Sequence, residues 1–480
     1  MIRRRWLAVL CGSFAVFAAV VAVVSTEPAQ RTWGLFAAAG YGTACVIALV
    51  VPHRRRMGGT WHGARLAVLA SLSGAALAPL GWMAAAGRAQ PEVGVIIRSA
   101  ALLLHRGTPY EGAAALAVTH NPNAYDPYLP ALIVFGLPRA MLGGGVGGVG
   151  GVGSVLTDPR VWFGAVFVVT FGAALAVLGI ARRGWWVAAV TASPIVAFPL
   201  SVGGDDLPVL GLLCLGLAVA GTGGRELPGA SRRGLPDASG RGLPGAIRRG
   251  LSWQCPVAAG VVLGLAAAMK ATAWPALVVA LVLIGARQGR RATALLGLAA
   301  AGTAVIADSP LLVAAPGAVV ANTIAFPLGL AKVASPAASV LPGHLIAATG
   351  PGGRWVAIAL LIIAGAAVAA SLVVSPPKDA HAAGWRLAIG MTLMFLLAPA
   401  SRVGYFVYPL GLAAWLLLTR LGGPGGPGRA GRLGRLGGLG GWAGAGGAAG
   451  PGGRTAEVAP DGFGTRLPPR EPELTAGQRE

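Results

Sequence analysis

Arg3-Arg4-Arg5 followed by WLAVLCGSFAVFAAVVAVV, Trp6–Val24, opens the chain: three cations, then 19 residues with no charge. A helix needs roughly 20 predominantly apolar residues to cross the hydrocarbon layer, and this run supplies them. It exceeds the roughly 7–15-residue apolar core of a secretory signal, and no A-x-A cleavage site follows, so the expectation is a retained first span. Comparable runs recur outward from it, at 33–51 before His53-Arg54-Arg55-Arg56 and at 66–86. Composition agrees: 55% of the 480 residues are hydrophobic and 11% charged, against roughly 25% charged in a soluble domain. So few charges cannot coat a water-soluble protein of this size. The fold class is an all-α polytopic membrane protein, which removes soluble enzymes and disordered scaffolds together.

Thirty-eight basic and sixteen acidic residues leave a net charge of +22. The basic residues fall between apolar runs, as cytoplasmic loops require, rather than forming a nucleic-acid surface. No nucleic-acid partner is expected. Only Lys270, Lys332 and Lys378 are lysines. Cys11, Cys45, Cys214 and Cys255 stand singly, which argues against a zinc site or a disulfide scaffold.

The positive-inside rule orders the spans. Forward from Arg3–Arg5, spans at 6–24, 33–51 and 66–86 lead to an outer loop at 87–127, with a surface-lying helix near 95–104. Backward from the arginine-rich tail, spans at 404–420, 385–400 and 355–375 lead to a second outer loop, 313–354. Spans 292–312, 273–286, 254–270, 206–221, 185–201 and 160–180 complete the set, around an inner loop at 222–252. The two counts meet if 127–159, broken by Pro130, Pro138 and the glycines of 143–153, re-enters or crosses twice. The expectation is therefore a bundle of about 12–14 transmembrane helices with two long outer loops, in the cell membrane, with both termini cytoplasmic. Residues 1–65 read as two extra helices and a basic inner loop, 66–420 as the core, and 421–480 as a Gly/Pro/Arg-rich cytoplasmic tail. The repeats at 225–250 and the tail cannot bury enough apolar surface to offset ordering entropy, so both read as disordered.

Sorting the acids by side is informative. Glu27, Glu92, Glu111, Asp126, Asp158, Asp205, Asp206 and Asp308 all fall outside or at outer span ends. Ionisable groups at a membrane are costly and mark function; a transporter should place some at mid-depth on both halves of its path. The loop 87–128 is richest, with Glu92, Arg98, His105, Arg106, Tyr110, Glu111, His120, Tyr125, Asp126 and Tyr128. A carboxylate there can accept a proton from an attacking hydroxyl, and arginine can hold phosphate. Asp205-Asp206 at a span start suit a helix dipole, a sugar hydroxyl or a divalent ion. Lys270 and Arg402, at outer span ends, suit either a phosphate or snorkelling to the interface. Gly145-x-Gly147-x-x-Gly150 matches a dinucleotide fingerprint but lies in a simple repeat without a βαβ unit, and no P-loop lysine motif is present.

At Arg106-Gly107-Thr108-Pro109-Tyr110 and Tyr125-Asp126-Pro127-Tyr128-Leu129-Pro130, with Lys270 through Pro275 later, the chain resembles glycosyltransferase family 87 of the GT-C superfamily. The likeness spans roughly 66–420. Glu92 stands where that family usually has an aspartate after the span, and Gly204-Asp205 where it has Gly-Gln. The resemblance implies a GT-C-like bundle and an inverting sugar transfer, of mannose or another hexose, at the outer face. The donor would be a polyprenyl-phosphate sugar and the acceptor a glycolipid, glycan or protein. It implies Glu92 or Asp126 as base, and Arg98, Lys270 or Arg402 against the leaving phosphate. Tyr110, Tyr128, Asp205 and Asp206 complete the expected substrate contacts, with no cofactor and no metal. The alternative is a transporter or flippase of a lipid-linked sugar or other amphiphile.

Overall fold

A computed structural model describes residues 2–51, 62–142, 152–222, 254–327, 331, 333 and 336–422. The expected inner loop beyond 222, the tail beyond 422, the basic loop at 53–56 and most of the glycine run 143–153 lie outside these residues. The described residues are helical, joined by turns and one isolated bridge between Ala338 and Ser401. The all-α polytopic class holds.

Fourteen helices frame the molecule. They are α1 (Ile2–Val24), α2 (Pro28–Val50), α3 (His62–Ala85, with a π-helical turn at Ser73–Leu77), α4 (Pro91–Arg106), α5 (Pro159–Val177), α6 (Arg183–Thr191) and α7 (Pro194–Val202). There follow α8 (Leu207–Thr222), α9 (Gln254–Met269), α10 (Trp274–Gln288), α11 (Arg290–Ala314), α12 (Pro351–Val374), α13 (Ala380–Leu397) and α14 (Val407–Gly422). All twelve expected spans are helical. Among the described residues nine helices are long and apolar enough to cross a membrane, or ten if α6 and α7 form one broken span.

The differences have local causes. The stretch 185–201 is bent by 61° between α6 and α7, where Pro194 forces Ser193 into an extended conformation and lacks a donor of its own. Helices α8 and α9 have 16 residues each, about 24 Å at 1.5 Å per residue. Charge bounds them: Asp205-Asp206 precede α8 and Lys270 follows α9. Between 127 and 159 lie Pro130–Leu142 and a six-residue helix, Val152–Thr157. Both are short of a crossing. Buried Arg139 joins them through the Ser154 carbonyl (3.3 Å) and the Thr157 hydroxyl (3.1 Å).

Helix α8 is the centre. It is apolar all round, as a helix enclosed by other helices should be, and almost every side chain on it is buried. It packs against α5, α9, α10, α13 and α14, with Phe163, Phe167, Leu263, Met391 and Trp415 in the surrounding core. By contrast, α12 is largely exposed, with Trp355, Ile362, Ile363 and Val374 on its open surface. A central helix whose first turn follows two aspartates brings those charges into the middle of the bundle.

On one side, α1, α2 and α3 pack together. Gly40 of α2 faces Gly74 in the π turn so closely that a Cβ on Gly40 would lie 2.7 Å from the Gly74 Cα. Small residues are what let helices approach in an apolar solvent. Gly40→Ala should lower the melting temperature of the purified protein in detergent, by about 1–3 kcal/mol of overpacking. Gly42→Ala on the same helix, where a Cβ meets nothing within 4 Å, should leave it unchanged.

Candidate functional site

The turn between α7 and α8 builds one corner. Gly204 has φ +59°, and a Cβ there would lie 2.9 Å from the Pro199 carbonyl oxygen, so glycine alone fits. The chain reverses and presents Asp205 and Asp206, both nearly buried. From α9, Lys270 leaves the helix in an extended conformation (φ −152°, ψ 139°). Its Nζ reaches Asp205 Oδ2 at 2.8 Å and Asp206 Oδ1 at 2.5 Å. The Tyr408 hydroxyl donates to Asp206 Oδ1 at 2.8 Å and accepts from the Thr272 hydroxyl at 3.1 Å. The ammonium also lies 4.9 Å from the centre of the Tyr128 ring. Neither expected role of Lys270, snorkelling or a free phosphate contact, describes this state: it is neutralised by two carboxylates.

The second corner is Tyr125–Ala131, a strap extended as far as Leu129 and entering a short helix at Pro130. Pro127 and Pro130 have no amide proton, and every other amide has a partner. Tyr125 N donates to the Pro122 carbonyl, Asp126 N to Asn322 Oδ1 (2.8 Å) and Tyr128 N to Asp126 Oδ1 (2.9 Å). Leu129 N donates to the Met269 carbonyl (3.2 Å) and Ala131 N to Asp308 Oδ1 (3.3 Å). The Tyr110 hydroxyl closes the other side on the Tyr128 carbonyl at 2.8 Å. Complete pairing of this kind fixes a backbone that belongs to no regular element before Pro130.

Asp126 is 1% exposed, and its Oδ2 has no hydrogen-bond partner. Burial pushes its carboxyl up to about 7, against the opposing pull of Ser99, the Tyr128 amide and Arg98, and with a smaller upward push from Asp205. Burial also raises the Tyr110 and Tyr128 phenols, which stay protonated. Arg98, on α4, donates from Nη2 to the Ala124 carbonyl at 3.3 Å. Together with Glu111, Thr119 and Asn121 it lines a recess of about 330 Å³.

The third corner is the pair Glu92–Arg402. Pro91 begins α4 and Glu92 lies in its first turn, where a carboxylate favours the helix dipole. Arg402 precedes α14. The Gln90 amide bonds the Val202 carbonyl at 2.8 Å, which ties the start of α4 to the Asp205 turn. Tyr405 lies within electrostatic reach of Arg402, Lys270 and Asp206, bridging this corner to the first.

The structure thus brings together Glu92, Arg98, Tyr110, Asp126, Tyr128, Asp205, Asp206, Lys270 and Arg402. Three other outer acids serve elsewhere. Glu111 pairs with exposed Arg106 at 3.1 Å, though its backbone carbonyl joins the site. Asp158 caps α5 and pairs with Arg160 at 2.7 Å, whose guanidinium grips the Ser201 carbonyl at 2.6 Å. Glu27 precedes α2. Asp308, Asn322, Tyr405 and Tyr408 are members that the sequence did not single out. Asp308 was recognised only as an outer acid, and the other three carry no spacing signal. Among the described residues no three His, Cys, Asp or Glu side chains are grouped to hold a metal ion.

Removing one member of a buried ion pair strands its partner, at about 3–5 kcal/mol. Lys270→Met should therefore lower thermal stability strongly, and Lys270→Met with Asp205→Asn and Asp206→Asn should recover most of the loss. Melting curves in detergent check both.

Comparison with protein-family models, curated proteins and solved structures finds no match to this chain.

Proposed function

We propose that the chain is an integral membrane glycosyltransferase that moves a sugar, mannose in the first instance, from a polyprenyl-phosphate donor to a hydroxyl acceptor. The observation that carries this reading is the meeting of a buried carboxyl with one unpartnered oxygen, Asp126, with a rim arginine and a lysine–diaspartate cluster. The residues that carry the resemblance to glycosyltransferase family 87 are the same ones that build the strap and the lysine corner. The cluster occupies helix ends away from Arg287, Lys378, Arg386 and Arg420. The positive-inside rule assigns those residues to the cytoplasm, and the site to the outer face of the cell membrane.

Asp126 is the base. Its carboxylate accepts the proton of the acceptor hydroxyl while that oxygen attacks the anomeric carbon. The bond from that carbon to the phosphate oxygen breaks, and the electron pair leaves with the polyprenyl phosphate. The sugar inverts in this single displacement. Arg402 takes the phosphate: its side chain is 31% exposed and is held by one carboxylate, whereas Lys270 is enclosed by two. A guanidinium offers two parallel donors to a phosphate. Glu92, one of the two bases the resemblance implies, is here the partner that aims Arg402. Asp205 and Asp206 face the sugar hydroxyls.

Membranes supplied with labelled polyprenyl-phosphate mannose test the reading. Asp126→Asn should reduce transfer by about 10²–10⁴-fold, the usual contribution of a general base. Glu92→Gln should act mainly on KM for the donor. A base must be deprotonated to accept, so wild-type activity should climb as pH rises towards about 7 and level off above it. The residual activity of Asp126→Asn should lack that limb. Unchanged transfer in Asp126→Asn would sink the assignment. Movement of a lipid-linked sugar across sealed vesicles without transfer would favour a flippase.

A further inference from the structure

Loops 87–127 and 313–354 are far apart in sequence, yet one side chain fastens them together. Asn322 is fully buried. Its Oδ1 accepts the Asp126 amide at 2.8 Å, and its Nδ2 donates to the Glu111 carbonyl at 3.1 Å and to the Ala318 carbonyl at 2.8 Å. One amide therefore grips both ends of the segment 111–126. The residue lies in a π-helical turn, Val320–Ala325, a wide turn that is uncommon and concentrates at functional sites. Beside it the Phe326 and Tyr125 rings stack, with centres 4.4 Å apart and planes at 10°, over Leu116.

We propose that Asn322 is a positioning residue for Asp126: it sets where the strap, and so the unpartnered Asp126 oxygen, sits within the bundle. The inference rests on the reading of Asp126 as proton acceptor, and it assigns the 316–326 segment a part in that site. The chemistry of the contact is demanding. Asn322 must accept from one backbone group and donate to two others at once. Aspartate cannot donate and would place a like charge beside Asp126; leucine can do neither. The groups that face Asp126 from its other sides are Arg98 and Ser99 on α4, Tyr110 and Tyr128 on the loop, and Asp205 on the α7–α8 turn. Arg98 also faces Glu111, through charge, but its hydrogen bond goes to the Ala124 carbonyl; the bonds that join Glu111 to Asp126 are those of Asn322.

A readout independent of transfer tests this. Hydrophobic carbodiimides modify protonated carboxyls in apolar surroundings, so labelling of Asp126 in the purified full-length protein can be followed against pH by peptide mass spectrometry. In the wild type, labelling should fall through a midpoint near 7. Asn322→Leu, which loosens the strap towards water, should move the midpoint down by a unit or more. Asn322→Asp should move it up. Thr323→Ala, whose hydroxyl bonds only the Val319 carbonyl of its own helix, should leave it in place. Should the leucine variant not fold, Asn322→Ser removes most of the clamp in a smaller side chain and should move the midpoint the same way. Unmoved midpoints in folded Asn322 variants overturn the proposal. If the midpoints move but Asp126→Asn retains full transfer, the positioning stands and the base assignment fails.

Discussion

A buried ammonium has to be matched by negative charge, and in this bundle Asp205 and Asp206 match Lys270. Taking an ion out of water costs several kcal/mol even after relaxation. The end of α9, the start of α8 and the Tyr408 hydroxyl from α14 are therefore held to one point. The start of α8 and the end of α9 follow from the same constraint, since both helices stop where their charges meet. Gly204 is the backbone condition for it: a side chain there would strain the left-handed turn and strike the Pro199 carbonyl.

Polar backbone is the second constraint. The strap Tyr125–Leu129 is not helical, and the first turn of the helix that follows has no carbonyl ahead of it to accept its amides, so each free amide needs another acceptor. Asn322, Asp308 and the Met269 carbonyl supply them from three different elements. Asp308 thereby finds a use for a carboxylate that is the one charge on its helix beyond Arg290 and Arg291. The two prolines reduce the number of amides to be matched, and they also keep the strap extended. The Tyr-Asp-Pro-Tyr-Leu-Pro sequence is thus suited to a buried, non-helical passage between two helical regions.

The apolar runs made the helices legible, because a membrane selects on length and hydropathy alone. The outer acids and Lys270 were legible because charge is rare here and every instance stands out. What sequence could not reveal is pairing. Glu92 and Arg402 are separated by 310 positions and Lys270 and Asp206 by 64, and nothing local announces either contact. Asn322 and Tyr408 were hidden for a different reason. An asparagine in a mixed loop and a tyrosine at a span end are ordinary there, and only the three bonds of one and the Asp206 contact of the other give them a role. The bend at Ser193-Pro194 was readable in principle, since proline cannot continue a helix through its predecessor, but an apolar stretch of span length masked it.

Charge balance orders the events within the transferase reading. Glu92, Asp126, Asp205, Asp206 and Asp308 face three cations, Arg98, Lys270 and Arg402, so the site resists an added phosphate unless one carboxylate gives way. Lys270 cannot be released without stranding two aspartates. Arg402 can exchange, because its single partner stands at the rim. Within that reading the phosphate would replace Glu92 on Arg402 at the rim, while Asp126, away from that exchange, keeps the elevated proton affinity that burial gives it. Donor exchange and proton acceptance would then fall to different corners of the site, the first set by an exposed ion pair and the second by a buried carboxyl.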